Sequence, residues 1–318
     1  MRLRPPREEC RVPRLDHRAA PSAHRVLLGH TALMGGQLID REQSRSRHEL
    51  ALRHVESLSS GTAVDPTLRI TLNFHPDRLL RDRLVLESLA EDGVYYSQFV
   101  TGTSNGGLTA HPGGDRWRWE SRIFDGAYDD APDRDRPVYG GLNFRGTPYG
   151  ASPRFGSAHL RLTADTLPRA TFCYPDSVAE PSSFGTAAKL SLIELAEADD
   201  RDALDDYVEA HVHGPVLLDR QVEALVLDPS HRGTQIEAIA ARLPCPVEWH
   251  PGFRLGIADL RRYPDYRGPE FVELGTEIAV DGFLDPRIIG DAARTGRHDP
   301  QALKRVWHYT ARFGARAG

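Results

Sequence analysis

Three stretches of this chain alternate apolar and polar residues at a period of two, a pattern that a helix scrambles and an extended strand sorts onto two faces. In Tyr207-Val208-Glu209-Ala210-His211-Val212-His213, one face takes Val208, Ala210 and Val212, and the other takes Tyr207, Glu209, His211 and His213. Leu68 to His75 divides into Leu68, Ile70, Leu72 and Phe74 against Arg69, Thr71, Asn73 and His75. Phe155 to Leu162 divides into Gly156, Ala158, Leu160 and Leu162 against Phe155, Ser157, His159 and Arg161. A single histidine of this kind is more often a half-buried structural residue than a functional one. Three strands that each offer one, with Glu209 among them, point to a shared cleft.

The 318 residues, 40% hydrophobic and 27% charged, are enough to bury a sizeable core. Lys189 and Lys304 are the only lysines, so 38 of the 40 basic residues are arginine. That bias reflects base composition better than a selected surface. A net charge of -5 gives no general attraction to nucleic acid. No apolar run approaches the roughly 20 residues of a membrane helix, and the basic N-terminus has no hydrophobic signal region, so no membrane partner and a cytoplasmic location are expected. Cys10, Cys173 and Cys245 have no metal or disulfide spacing.

Residues 1–60 read as an arginine-rich, partly disordered leader with one helix, from Arg41 to Leu58. Residues 61–234 read as an α+β core and 235–318 as a C-terminal helical cap packed on it. Within the core, a helix is expected over Leu84–Ala90, capped by Gly93, and another over Arg116–Ile123, with Trp117 and Trp119 packing under the glycine-dense loop that precedes it. Strands are expected over Val138–Phe144 and Val222–Leu227, and a charged amphipathic helix over residues 189–206. The fold class is α+β, with a mixed, twisted sheet or split pair of sheets and helical additions at both ends.

No phosphate-loop, dinucleotide, nucleophile-elbow or HExxH motif is present. Four segments, however, resemble those of the bacterial domain-of-unknown-function 3626 family: Leu72 to Arg78, Ser97-Gln98-Phe99 with Ser104 to Leu108, Tyr139 to Asn143, and Arg154 to Leu162. The resemblance covers about residues 65–315. The order of elements is also similar to ADP-ribosyltransferase-like folds: a first-strand histidine, a helix ending at Gly93, a Tyr-Gly strand, a Phe-Gly-Ser strand, then Val-Glu-Ala before a Gly-Pro turn.

That second similarity implies an NAD-dependent glycosyltransferase in which NAD is the substrate and no metal is needed. His75 would hold the ribose, Glu209 would act where the nicotinamide bond breaks, and His211 would assist. Contacts to NAD are expected from Asn73, Arg78, Ser104, Asn105, Tyr139, Ser157, His159 and Arg161, with the cations and the Gly102–Gly107 amides meeting pyrophosphate. The acceptor could be protein, nucleic acid or a small molecule. This chain departs from that family where a second acidic or amide residue usually stands two places before the glutamate, since Tyr207 occupies that position. Two other readings stay open: a metal-dependent hydrolase using His75, His159, His211 or His213 with Glu209, and a non-catalytic ligand-binding module.

Overall fold

The computed structural model describes residues 23–102 and 108–316, with side chains described from residue 41 onward. Ser104, Asn105 and the arginine-rich segment before Ala23 lie outside the described residues. The chain divides into Met1–Gln43 and Ser44–Gly318. The first holds the start of helix α1 (Ala23–Leu58); the second holds the sheet and the helices that flank it.

Eight strands form the sheet: β1 (Ile70–Phe74), β2 (Val138–Leu142), β3 (Ala158–Leu162), β4 (Ala170–Tyr174), β5 (Ser183–Thr186), β6 (Val208–Val212), β7 (Val222–Leu227) and β8 (Val247–Trp249). Their order is β8-β7-β3-β1-β2-β6-β4-β5. Only β7 and β8 pair in parallel, so the sheet is mixed. It is one sheet rather than a split pair. The α+β class and all three alternating strands are as the sequence indicates, β1 ending one residue before His75.

Register explains the division of labour between the two faces. Residues opposite each other in an antiparallel ladder point the same way. The rows Thr71–Gly141–Glu209–Cys173 and Tyr139–His211–Thr171 therefore share one face. The other face carries Ile70, Leu72, Phe74, Leu160, Phe172, Val208, Ala210, Val212 and Leu225 into the main core. Three helices supply the opposing apolar side chains: α2 (Val85–Asp92), α4 (Leu192–Ala198) and α5 (Gln235–Ala240), through Leu86, Leu89, Leu192, Ile236 and Ile239. Gly93, in the left-handed conformation at φ 65°, ends α2 as expected.

The polar face is covered as well. Helix α3 (Asp115–Ile123) lays Trp119 and Ile123 over it, in a second cluster with Phe124, Tyr128, Ala51 and Val55. Further along, the segment 147–156 crosses above β1 and β3. Helices α6 (Pro269–Ile278), α7 (Pro286–Arg294) and α8 (Pro300–Phe313) make a third core around Val272, Ile289 and Trp307. The starts of α7 and α8 are written in the sequence as Asp-Pro: Asp285 and Asp299 accept from the amides of Ile288 and Ala302, and proline fills the first helical position.

Two local expectations change. The helix expected over 189–206 is only Leu192–Ala198, because the acidic run that follows is spent on side-chain contacts. Asp199 and Asp206 accept from the Tyr174 hydroxyl, and Asp202 accepts from the amide of Leu204. Acids at a helix C-terminus also oppose its dipole. In addition, β8 adds an edge strand to the sheet, so a boundary after residue 234 cuts through the sheet rather than beside it.

Gly156 sets the spacing between β3 and β1. A Cβ there would lie 2.0 Å from the carbonyl carbon of Phe74. Gly156→Ala is expected to cost about 1–3 kcal/mol or more, visible as a lowered urea midpoint with an unchanged slope; an unchanged midpoint would contradict the packing described.

Candidate active site

Glu209 is 5% exposed, and three groups converge on its Oε1. His211 Nε2 lies 3.1 Å away, Arg116 Nη1 3.8 Å and Cys173 Sγ 4.0 Å. Arg116 also donates to Ser177 Oγ at 2.6 Å, and Ser177 in turn bonds Glu209. Burial alone would raise the carboxyl pKa, but the His211 hydrogen bond, the Arg116 charge and Ser177 together bring it below its ordinary value. Glu209 is therefore an ionised carboxylate. His211, buried and pushed below its usual pKa, is neutral. The Cys173 thiol is held well above its usual value by burial and by Glu209, so it stays protonated.

A second buried ion pair stands beside the first. Arg136 donates to Glu120 Oε2 at 2.7 Å, and the Tyr139 hydroxyl donates to Glu120 Oε1 at 2.9 Å. Burial lifts Glu120 to about 7 against the pull of Arg136 and Tyr139. The Arg116 guanidinium lies 4.0 Å above the Tyr139 ring, which ties the two pairs together.

Glu209, Arg116, Tyr139, Asn73, Ser152, Phe155 and Asp176 line a cleft of about 490 Å³, counting its open mouth. A second cavity of about 820 Å³, also counting its open mouth, is lined largely by apolar side chains such as Phe74, Leu79, Val85 and Leu89, with His75, Arg78, Ser88 and Asp92 among them, and Tyr95, Gln98 and Tyr139 belong to both walls. His75 and Glu209 thus line two different cavities that have three wall residues in common. The ring of His75 meets Trp307 at 5.0 Å between centroids, and burial brings its pKa down to about 3. It is a neutral hydrogen-bonding group there, not a cation.

Other residues singled out from the sequence are placed differently. Asn73 reaches the cleft wall, but its amide also ties down the covering segment, donating to the carbonyl of Tyr149 at 2.9 Å and accepting from the amide of Ser152 at 3.3 Å. Arg161 is committed at the sheet edge to Glu223 and, through two bonds, to Glu248, so it is not aimed at pyrophosphate. His159 is buried under Gly150, where a Cβ would sit 3.0 Å from its ring. Ser157 is buried near the same strand end, its carbonyl accepting from His250. Neither Ser157 nor His159 lines the cleft. The alternation rule finds the face but not which residues along it are roofed over.

Arg116, Glu120, Thr171, Cys173, Asp176 and Ser177 are the additions the structure makes. Arg116 reads from sequence as a helix start, and β4 is not among the strands expected from sequence. Its signal is nonetheless present: Ala170-Thr171-Phe172-Cys173-Tyr174 is a β-branched and aromatic run between Pro168 and Pro175. Trp119 packs beneath the site, 4.9 Å from the His211 ring.

Among the described residues, Cys173, Glu209 and His211 have donor atoms all within 4.8 Å of one another, a spacing that could hold a metal ion. His75 and His159, invoked for a metal-dependent hydrolase, are not in that group. The Arg116 guanidinium beside the same carboxylate oxygen disfavours a divalent cation there. Among the described residues no helix is long and apolar enough to cross a membrane.

Residues 69–196 and 187–313 match the family described as "Protein of unknown function (DUF3626)". No curated protein matches. Among solved structures, the chain is similar to DarT of Thermus sp. 2.9 in complex with NAD+, at 15% sequence identity and a TM-score of 0.33, over 59% of this chain and 98% of that one. A likeness this loose leaves function to be argued from the residues.

Proposed function

The chain belongs to the DUF3626 family, and we propose that it is an NAD-consuming enzyme of the ADP-ribosyltransferase-like kind, with Glu209 as the catalytic carboxylate. The observation that carries this reading is a glutamate, almost wholly buried, in the wall of a polar cleft with Arg116 and His211 against its carboxylate.

Breaking the nicotinamide–ribose bond sends the bonding electron pair to the pyridine nitrogen, and nicotinamide leaves neutral. Positive charge then builds on the ribose ring. A fixed carboxylate in a site of low dielectric stabilises that charge far more than water would, and does so with no reorganisation at the moment of reaction. Glu209 also accepts a hydrogen bond from a ribose hydroxyl, which orients the sugar. The acceptor then attacks the anomeric carbon and gives up its proton. Arg78 in the second cavity suits a phosphate and neutral His75 a hydroxyl, and two cavities that share the wall residues Tyr95, Gln98 and Tyr139 suit a ligand with two nucleotide halves.

Binding is tested by thermal unfolding with NAD and with each of its halves. NAD at 100 times its dissociation constant is expected to add about 2.7 kcal/mol of stability, and ADP or nicotinamide mononucleotide alone to add less. Equal shifts from ADP and NAD, or no shift from either, would count against a dinucleotide site.

A further inference from the structure

We propose that Tyr128, His213 and Thr171 are positioning residues for Glu209: with His211 they form a buried hydrogen-bond chain of one polarity that delivers an imidazole N–H to Oε1 and fixes the orientation of the carboxylate. The role in turnover rests on the reading of Glu209 as the acting carboxylate; the chain itself does not. Four contacts make it. The Tyr128 hydroxyl lies 2.6 Å from His213 Nδ1, and His213 Nε2 lies 3.1 Å from Thr171 Oγ1. Thr171 Oγ1 lies 3.1 Å from His211 Nδ1, and His211 Nε2 lies 3.1 Å from Glu209 Oε1. All five side chains are buried.

The direction of every proton follows from the last link. An ionised carboxylate can only accept, so His211 Nε2 carries the hydrogen. His211 is neutral, so its Nδ1 is bare and the Thr171 hydroxyl must donate to it. Having one proton, Thr171 can only accept from His213, which therefore carries its hydrogen on Nε2. The bare Nδ1 of His213 then takes the Tyr128 proton. The rings cannot turn out of line: His211 is packed between Trp119, Phe124 and Tyr139, and Tyr128 stacks on His213 at an interplanar angle of 11°.

Such a chain supports the carboxylate with dipoles rather than a second full charge. A protonated His211 would cancel the negative charge that the sugar cation needs; a neutral one fixes the geometry and leaves it in place. Oε1 receives His211, Arg116 and Cys173, and Ser177 also bonds the carboxylate, so its orientation is fixed from several sides. A cation held between His211 and Glu209 would demand the opposite order, with His211 Nε2 bare and every proton reversed back to Tyr128.

Nitrogen-15 NMR of histidine-labelled protein reads the tautomers directly. Both His211 and His213 are expected to be neutral and protonated at Nε2 between about pH 6.5 and 8. Thr171→Val keeps the shape but removes both links; His211 should lose its single tautomer, and nicotinamide release from NAD should fall on the order of 10-fold to 100-fold at unchanged KM. Thr171→Ser should restore both signatures, and Tyr128→Phe, which removes only the outermost link, serves if the valine variant does not fold. A proton on His211 Nδ1, a stoichiometric metal lost in Cys173→Ser, or wild-type tautomers and turnover in Thr171→Val would each overturn the proposal. The expected tautomers in a protein that does not cleave NAD would leave the chain standing and remove the substrate.

Discussion

Glu209→Gln is expected to lower nicotinamide release by about 10²–10³-fold, some 3–4 kcal/mol of transition-state stabilisation, while NAD binding changes only a few-fold. The amide has the size of the acid and still accepts a hydrogen bond from His211, so the loss isolates charge. Alanine would be a poorer probe. It would remove the acceptor for His211 and leave a cavity as well, whereas both variants leave Arg116, 2% exposed, without its nearest carboxylate, at a cost of about 3–5 kcal/mol in stability. A glutamine variant that binds NAD and cleaves it at the wild-type rate would show that the carboxylate only holds the sheet together.

The second large effect is acid lability. Burial holds His75 and His159 to about 3 and His308 to about 2, so in the native state all three stay neutral well below pH 6.5. In the unfolded chain they take up protons near pH 6.5. As pH falls below that value the unfolded state binds more protons, and the stability these groups confer at neutral pH is lost progressively down to their folded values. Three protons correspond to a slope of about 4 kcal/mol per pH unit at its steepest. Glu120 works the other way. Its pKa, lifted to about 7, makes the native state the better proton binder between the ordinary glutamate value and neutrality, which offsets about one of the three protons near pH 5.

A net loss on the order of 2–4 kcal/mol between pH 7.5 and 5.5 is therefore expected from urea unfolding. His308→Leu offers a control, since among the described residues neither ring nitrogen of His308 has a hydrogen-bond partner, and the side chain is fully buried. Replacing an unsatisfied buried group with an apolar one is neutral or stabilising, and it should remove one proton from the slope. Stability that is flat down to pH 5, or a slope unchanged in the leucine variant, would contradict this arrangement.

Much of this fold is legible in the residues because a two-residue period has only one structural meaning. Val208, Ala210 and Val212 had to face a core, and Glu209 and His211 therefore had to face away from it. The helix stop at Gly93 and the α3 span follow from equally local rules. What alternation does not show is depth. His159, Arg161 and Glu209 all lie on the polar face of one sheet, yet one is roofed by the Gly150 turn, one is paired with acids of β7 and β8, and one opens on the cleft. Those differences come from the 147–156 segment just before β3, from Glu223 and Glu248 on β7 and β8, and from α3, none of which the alternation within a strand reports. Arg116 was hidden for the same reason: nothing in Asp115-Arg116-Trp117 says that the guanidinium will turn inward to meet a glutamate more than ninety positions away. The acidic run after Ala198 misled in the opposite direction, because its helix-like pattern yields to side-chain contacts with Tyr174, Arg145 and Arg267.

The central claim is that this cleft breaks the nicotinamide–ribose bond. Chromatographic measurement of free nicotinamide, after incubating the intact protein with NAD and with protein, single-stranded nucleic acid or water as acceptor, tests it most directly. The account predicts nicotinamide released in proportion to enzyme with at least one acceptor, matched by ADP-ribose added to that acceptor or freed, and abolished in Glu209→Gln. NAD recovered intact with every acceptor, from protein whose thermal unfolding shows NAD bound, would contradict it.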